Sequence, residues 1–273
     1  MAFFVLVVLL SIPFWIVGSM SGRFLPASVP INLPVGALMA INPCIAAAIR
    51  EYREGGWDRV KSLLARAVDF RRISRKIWYV PMLYPWPATM VLTYGLMRLL
   101  GIPLPNPKIP LAMVPVFALA FMISGAGEEL GWQGYAFPRL PRWSALKAGI
   151  VLGLVWGTWH VVPLLQAHRA PAWIAGQALG MIPFRILIVW LYNNTGRSVF
   201  AVTFAAVLYA PTRFYRGPQG MLSLADTVAR HIKPTYWREG GLVGGVSVGA
   251  FMAYLAHGCA RIATQFGAVV PTT

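Results

Sequence analysis

Two adjacent glutamates, Glu128 and Glu129, follow a run of 19 uncharged residues, Ile109–Gly127. Between Asp69 and Asp226 they are the only carboxylates in the chain. A charged side chain at bilayer depth costs several kcal/mol, so acids in such a run point to chemistry or ion movement. A second isolated ionisable group, His160, lies in the next apolar run, within Val155-Trp156-Gly157-Thr158-Trp159-His160. A carboxylate and an imidazole brought together can move a proton between water and a substrate, or hold a metal.

The basic cluster Arg139, Arg142 and Lys147 marks a turn between the two runs. Glu128 precedes Arg139 by 11 residues and His160 follows Lys147 by 13. At helical rise these are about 17 and 20 Å from the turn, which predicts Glu128 and His160 at similar depth on antiparallel neighbours. Adjacent helical residues point about 100° apart, so the two glutamates cannot both face one cavity. Spacing of i,i+4 pairs Trp132 with Glu128, Gln133 with Glu129, and Trp156 with His160, where the indole can wall the imidazole. Arg185, alone in a later apolar run, is read as a partner for Glu129. The structural alternatives are a histidine bonded to a carbonyl and a glutamate pair satisfied by neighbouring hydroxyls.

Composition sets the class. Of 273 residues, 58% are hydrophobic and 12% charged, against about a quarter charged in soluble domains, which predicts an integral membrane protein. The formal charge of +16 would favour nucleic acid in a soluble protein. Here the basic residues lie between apolar spans, so they read as topology signals and contacts with anionic membrane lipid, with no nucleic-acid partner. Cys44 and Cys259 both fall in apolar runs and read as buried thiols.

About 20 apolar residues cross the hydrocarbon core. Runs of that kind at 2–22, 27–49, 77–97, 109–136, 148–167, 171–193, 198–212 and 240–260 predict an all-α, polytopic transmembrane bundle of about eight helices in one domain, 1–273. The first is read as a retained span, since no basic residue precedes it. The loop Arg50–Lys76 holds nine basic and four acidic residues, which predicts a cytoplasmic position in the plasma (inner) membrane. Its Val60, Leu63, Leu64 and Val68 recur at helical spacing, as in a helix lying on the inner leaflet. That orientation puts Arg139–Lys147 inside and the basic loop Arg213–Glu239 outside, against the charge rule. Trp78, Tyr79, Tyr84, Trp86, Trp190 and Tyr192 read as interfacial aromatics. His168, His231 and His257 carry no pattern.

At its polar residues the chain resembles the CAAX protease and bacteriocin-processing (CPBP, or Abi) family of intramembrane endopeptidases. That family's Glu-Glu-x-x-Trp-Arg-Gly motif is met by Glu128-Glu129-Leu130-Gly131-Trp132-Gln133-Gly134. Its aromatic-x-x-x-His motif is met by Trp156-Gly157-Thr158-Trp159-His160. A turn like the one before its third motif stands at Asn194-Thr195-Gly196-Arg197-Ser198, and Arg53-Glu54-Gly55-Gly56 is also similar. The resemblance covers a family-like core at 115–212. The chain departs from it at Gln133, where the family has Arg. It also departs at Ala205 and Ala206, where a third-motif His is due, and at Tyr209 or Ala210, where an Asn is due.

The resemblance implies catalytic Glu128, Glu129 and His160, with Trp132, Gln133 and Trp156 in support. Glu128 would be the base that activates water, with His160 orienting that water or, with Glu128, holding a divalent metal such as zinc. The implied substrate is a peptide or membrane protein, prenylated in the CAAX-processing members. Two other readings compete. One is a weakened member that acts as a scaffold, which the departures favour. The other is an ion-coupled transporter, which calls for inverted repeats that the sequence lacks.

Overall fold

The computed structural model describes residues 1–21, 35–84, 114–141, 143–167 and 171–209, with a few isolated positions between 88 and 99. Among them all regular structure is helical. Seven α-helices are present: α1 (Ala2–Ser21), α2 (Asn42–Ala65), α3 (Tyr79–Leu83), α4 (Val114–Glu129), α5 (Ala145–Gln166), α6 (Pro171–Asn194) and α7 (Val199–Tyr209). The expected count of about eight spans is not reached among these residues. Ala2–Met20, Ala145–Gln166 and Ile174–Asn194 are long and apolar enough to cross a membrane. The span expected at 240–260, the loop Arg213–Glu239, Arg142, Trp86, Cys259, Ala210 and the three other histidines lie outside the described residues.

Where the expected spans are described, several differ from the apolar runs. In the described part of the second, a 3-10 turn at Val35–Ile41 leads into α2, which continues through the charged segment to Ala65. Proline early in α2 costs it no hydrogen bond, because first-turn N–H groups have no partner inside the helix. The helix breaks at Gly55 and Gly56; the latter has φ 70°, a conformation that only glycine adopts freely. Arg59 closes the break with ion pairs to Glu51 at 3.7 Å and Glu54 at 3.5 Å. Past the break the expected helix is present, but Val60 and Leu63 pack into the protein while Leu64 and Val68 stay exposed. It is thus a bracing helix as much as a surface one. Helix α7 has 11 residues as described, about 16 Å, half the hydrocarbon thickness.

The centre of the fold is the α5–α6 hairpin. Gly149, Gly153 and Gly157 recur every four residues along α5 and meet Ile186, Ile182 and Ala178 of α6 in antiparallel order. A Cβ at Gly153 would lie 2.6 Å from Ile182 Cα, and one at Gly157 would lie 2.7 Å from the Ala178 carbonyl oxygen. Small residues at this spacing let membrane helices touch backbone to backbone, where dispersion replaces the missing hydrophobic drive. The Gly153→Leu variant should therefore lose at least about 1–3 kcal/mol, the usual cost of overpacking. Thermal unfolding in detergent, with Leu154→Ala on the exposed face of α5 as the neutral comparison, checks it.

Helix α7 is set by a residue far away in sequence. The Asp69 carboxylate accepts from the Ser198 hydroxyl at 2.7 Å, the Phe200 N–H at 3.0 Å and the Val199 N–H at 3.3 Å. It thereby takes up first-turn donors and faces the positive end of the helix dipole. The preceding turn contains Gly196 at φ 64° and Arg197 at φ 59°. Arg66 ties this turn down by donating to the Arg197 carbonyl, the Tyr192 hydroxyl and the Gly134 carbonyl. Tyr192 is therefore fully buried and packs against Phe137, so it is a core residue and not an interfacial one.

Candidate active site

Helix α4 carries both glutamates at its C-terminal end and then changes type: Leu130–Ala136 continue as a π-helix. The wider π turn alters the angle between successive side chains. Trp132 turns to Phe3, Phe4 and Trp159, with ring centroids at 5.6, 6.2 and 5.8 Å. Gln133 is fully buried, and neither of its amide atoms has a hydrogen-bond partner among the described residues.

The two glutamates part, as the angle between neighbours requires. Glu128 meets α5: its Oε2 accepts from the Trp156 indole N–H, and its Oε1 lies 3.9 Å from His160 Nε2. Glu129 meets α6: Arg185 Nη1 donates to both of its oxygens, at 3.0 and 2.9 Å, and both side chains are essentially inaccessible. Arg185 thus supplies from another helix the counter-charge that Gln133 does not.

His160 has a defined role for each nitrogen. Its Nδ1 lies 2.9 Å from the Trp156 carbonyl oxygen, which can only accept, so Nδ1 carries the proton. Nε2 faces Glu128. The ring is held edge-on by Trp156 and Trp159 at centroid distances of 4.8 and 4.9 Å. The carbonyl bond that reads as a structural fate for a membrane histidine is here what fixes its tautomer. The spacing of 3.9 Å is too long for a direct hydrogen bond and short enough for one water to touch both groups.

A metal needs more donors than these. Glu128 and His160 offer one oxygen and one nitrogen, whereas catalytic zinc takes three protein ligands. Among the described residues no group of three His, Cys, Asp or Glu side chains gathers. The described donors do not form a zinc set.

At the Arg139 end of the same helices lies a clasp whose pairing the sequence did not predict. Arg139 donates to Glu51 at 2.8 Å and Glu54 at 3.1 Å, and stacks over Tyr135 at 3.8 Å. The Tyr135 hydroxyl donates to Glu54 and accepts from Arg50. The segments 50–76 and 139–147, both predicted on one side of the membrane, thus meet at one end of the bundle. Burial alone would raise the Glu54 pKa, but hydrogen bonds from Tyr135 and Arg139, with the Arg139 and Arg50 charges, hold it below the usual carboxylate value. The clasp therefore stabilises the fold above the unfolded pKa and is lost as pH falls through the folded one. The available signal was the crowding of four carboxylates into residues 51–69, with four in all the rest of the chain.

Known proteins point the same way. Residues 110–211 match the family model described as Type II CAAX prenyl endopeptidase Rce1-like. A CAAX prenyl protease 2 from Methanococcus maripaludis is 34% identical over 96 residues, 32% of this chain and 35% of the relative. The aligned part is thus about a third of either protein. By these matches, the chain is similar over this part to the CAAX protease family.

Proposed function

We propose that the chain is an intramembrane endopeptidase that hydrolyses a peptide bond in a membrane-inserted, prenylated peptide or protein. The observation that carries this is the facing of Glu128 Oε1 and His160 Nε2 across 3.9 Å inside the helices. A water between them gives its proton to Glu128 as its oxygen attacks the scissile carbonyl. His160, held by the Trp156 carbonyl, accepts from that water and aims its lone pair. The proton then passes from Glu128 to the departing amine. On α7, Thr203 is fully buried, packs against Gly125 of α4, and has a hydroxyl without a partner among the described residues. It is the α7 donor we assign to the developing oxyanion. Cytoplasmic placement of the Arg50–Lys76 end in the plasma (inner) membrane completes the reading.

The alternative is a family member that binds peptides without cutting them. Ala205 and Ala206 favour it, since neither can donate a hydrogen bond where the family has His. The deciding experiment is incubation of the purified chain in lipid with a panel of prenylated and unprenylated membrane peptides, one of them cleaved by an intact family member. Cleavage that depends on Glu128 supports the peptidase. Binding without cleavage leaves the scaffold.

A further inference from the structure

Arg185 does more than neutralise Glu129. Its guanidinium carbon lies 4.3 Å from the centre of the Trp156 ring, and Phe184 packs on the same indole at 5.9 Å. That indole donates its N–H to Glu128, and its own carbonyl fixes the His160 tautomer. One residue of α5 therefore touches both reacting groups, and one residue of α6 covers its face. The guanidinium is completely buried, and its Nε and Nη2 have no hydrogen-bond partner among the described residues. Among the described residues its charge meets the Glu129 carboxylate and the face of the Trp156 ring.

We propose that Arg185 is a positioning residue for hydrolysis: stacked on Trp156, it fixes the indole and strengthens its hydrogen bond to Glu128. A cation over an indole face is attracted by the ring quadrupole, and most strongly where water is excluded. It also draws electron density from the ring, which makes the N–H a better donor. Glu129 has a share in this, because its carboxylate straddles Nη1 and sets where the guanidinium lies. The second glutamate of the pair then acts on the first through a chain of contacts: Glu129, Arg185, Trp156, Glu128. A flat guanidinium can stack and pair at once, which an ammonium does less well.

The kinetic part of the test rests on the peptidase reading, and the spectroscopic part does not. The full chain, 15N-labelled at tryptophan in detergent micelles, gives indole N–H resonances; that of Trp156 is identified by its loss in Trp156→Phe. In Glu129→Gln/Arg185→Met, which removes both charges together, this resonance should move upfield as the hydrogen bond weakens. In Arg185→Lys it should move part of the way. With a cleaved peptide, kcat of the double variant should fall about 10-fold or more with KM nearly unchanged, as for a misplaced catalytic group. In a Trp156→Phe background the same two changes should cost kcat nothing further.

An unmoved resonance in the folded double variant overturns the proposal, and Arg185→Lys decides in the same way if the double variant does not fold. A moved resonance with unchanged kcat, or an equal loss in the Trp156→Phe background, overturns the positioning role. If the wild type cleaves no peptide, the peptidase reading fails, and the resonance still decides whether Arg185 sets the indole.

Discussion

Replacing Glu128 with glutamine should give a protein that folds, binds its peptide and cleaves nothing measurable. Gln keeps the size of the side chain and can still accept from the Trp156 N–H, so the α4–α5 contact survives. What disappears is basicity, and a positioned general base contributes about 10²–10⁴-fold. The loss should appear in kcat, because the proton moves only in the transition state. His160→Ala acts on the same water, so Glu128→Gln/His160→Ala should be little worse than the poorer single variant. The measurement is single-turnover cleavage of a prenylated peptide, with thermal unfolding as the folding control. Cleavage that survives Glu128→Gln removes the mechanism, whatever the family.

The largest effect on stability should come from breaking the other glutamate's pair. Glu129→Gln leaves the Arg185 guanidinium fully buried with no carboxylate, and losing one member of a buried ion pair costs about 3–5 kcal/mol. Glu129→Gln/Arg185→Met removes both charges and should recover most of that loss, since apolar replacement of a whole buried pair is often close to neutral. Thermal unfolding of the two variants side by side in one detergent checks the order. Equal destabilisation by the single and double changes would mean that packing, and not charge, dominates at this position. The same logic applies to position 133. An arginine there would enter a buried site whose nearest acid in sequence is already paired, so matching the family at that position should destabilise the chain.

The facing of Glu128 and His160 was legible because two simple rules meet at it. Ionisable groups in apolar runs are rare, and counting helical rise from a basic turn places Glu128 and His160 at one depth. The Arg185–Glu129 pair followed from the same scarcity: each is a charge in an apolar span with few partners to choose from. The placement of Trp132 and Gln133 was not legible, because the π-helix at Leu130–Ala136 has no signature that periodicity can read. Counting apolar runs also could not foresee that α2 continues through charged residues, or that Tyr192 is buried. They go with contacts that cross long stretches of sequence, Arg66 to the Tyr192 hydroxyl and Arg139 to the Glu51 carboxylate. The three glycines of α5 were in plain view, and their four-residue spacing is the signal that could have predicted its contact with α6.

That contact bears on how a substrate could arrive. His160 and Trp156 ride on α5 and Arg185 on α6, and at Gly149, Gly153 and Gly157 the two helices meet with no α5 side chain between them. Side chains that swing or slide are what allow a seam to open. A seam made of glycine against backbone has nothing to swing, and parting it would strip both helices of their closest contacts at once. If the chain is the peptidase proposed above, its peptide enters across another boundary of the bundle, and the α5–α6 hairpin is the fixed side of the site.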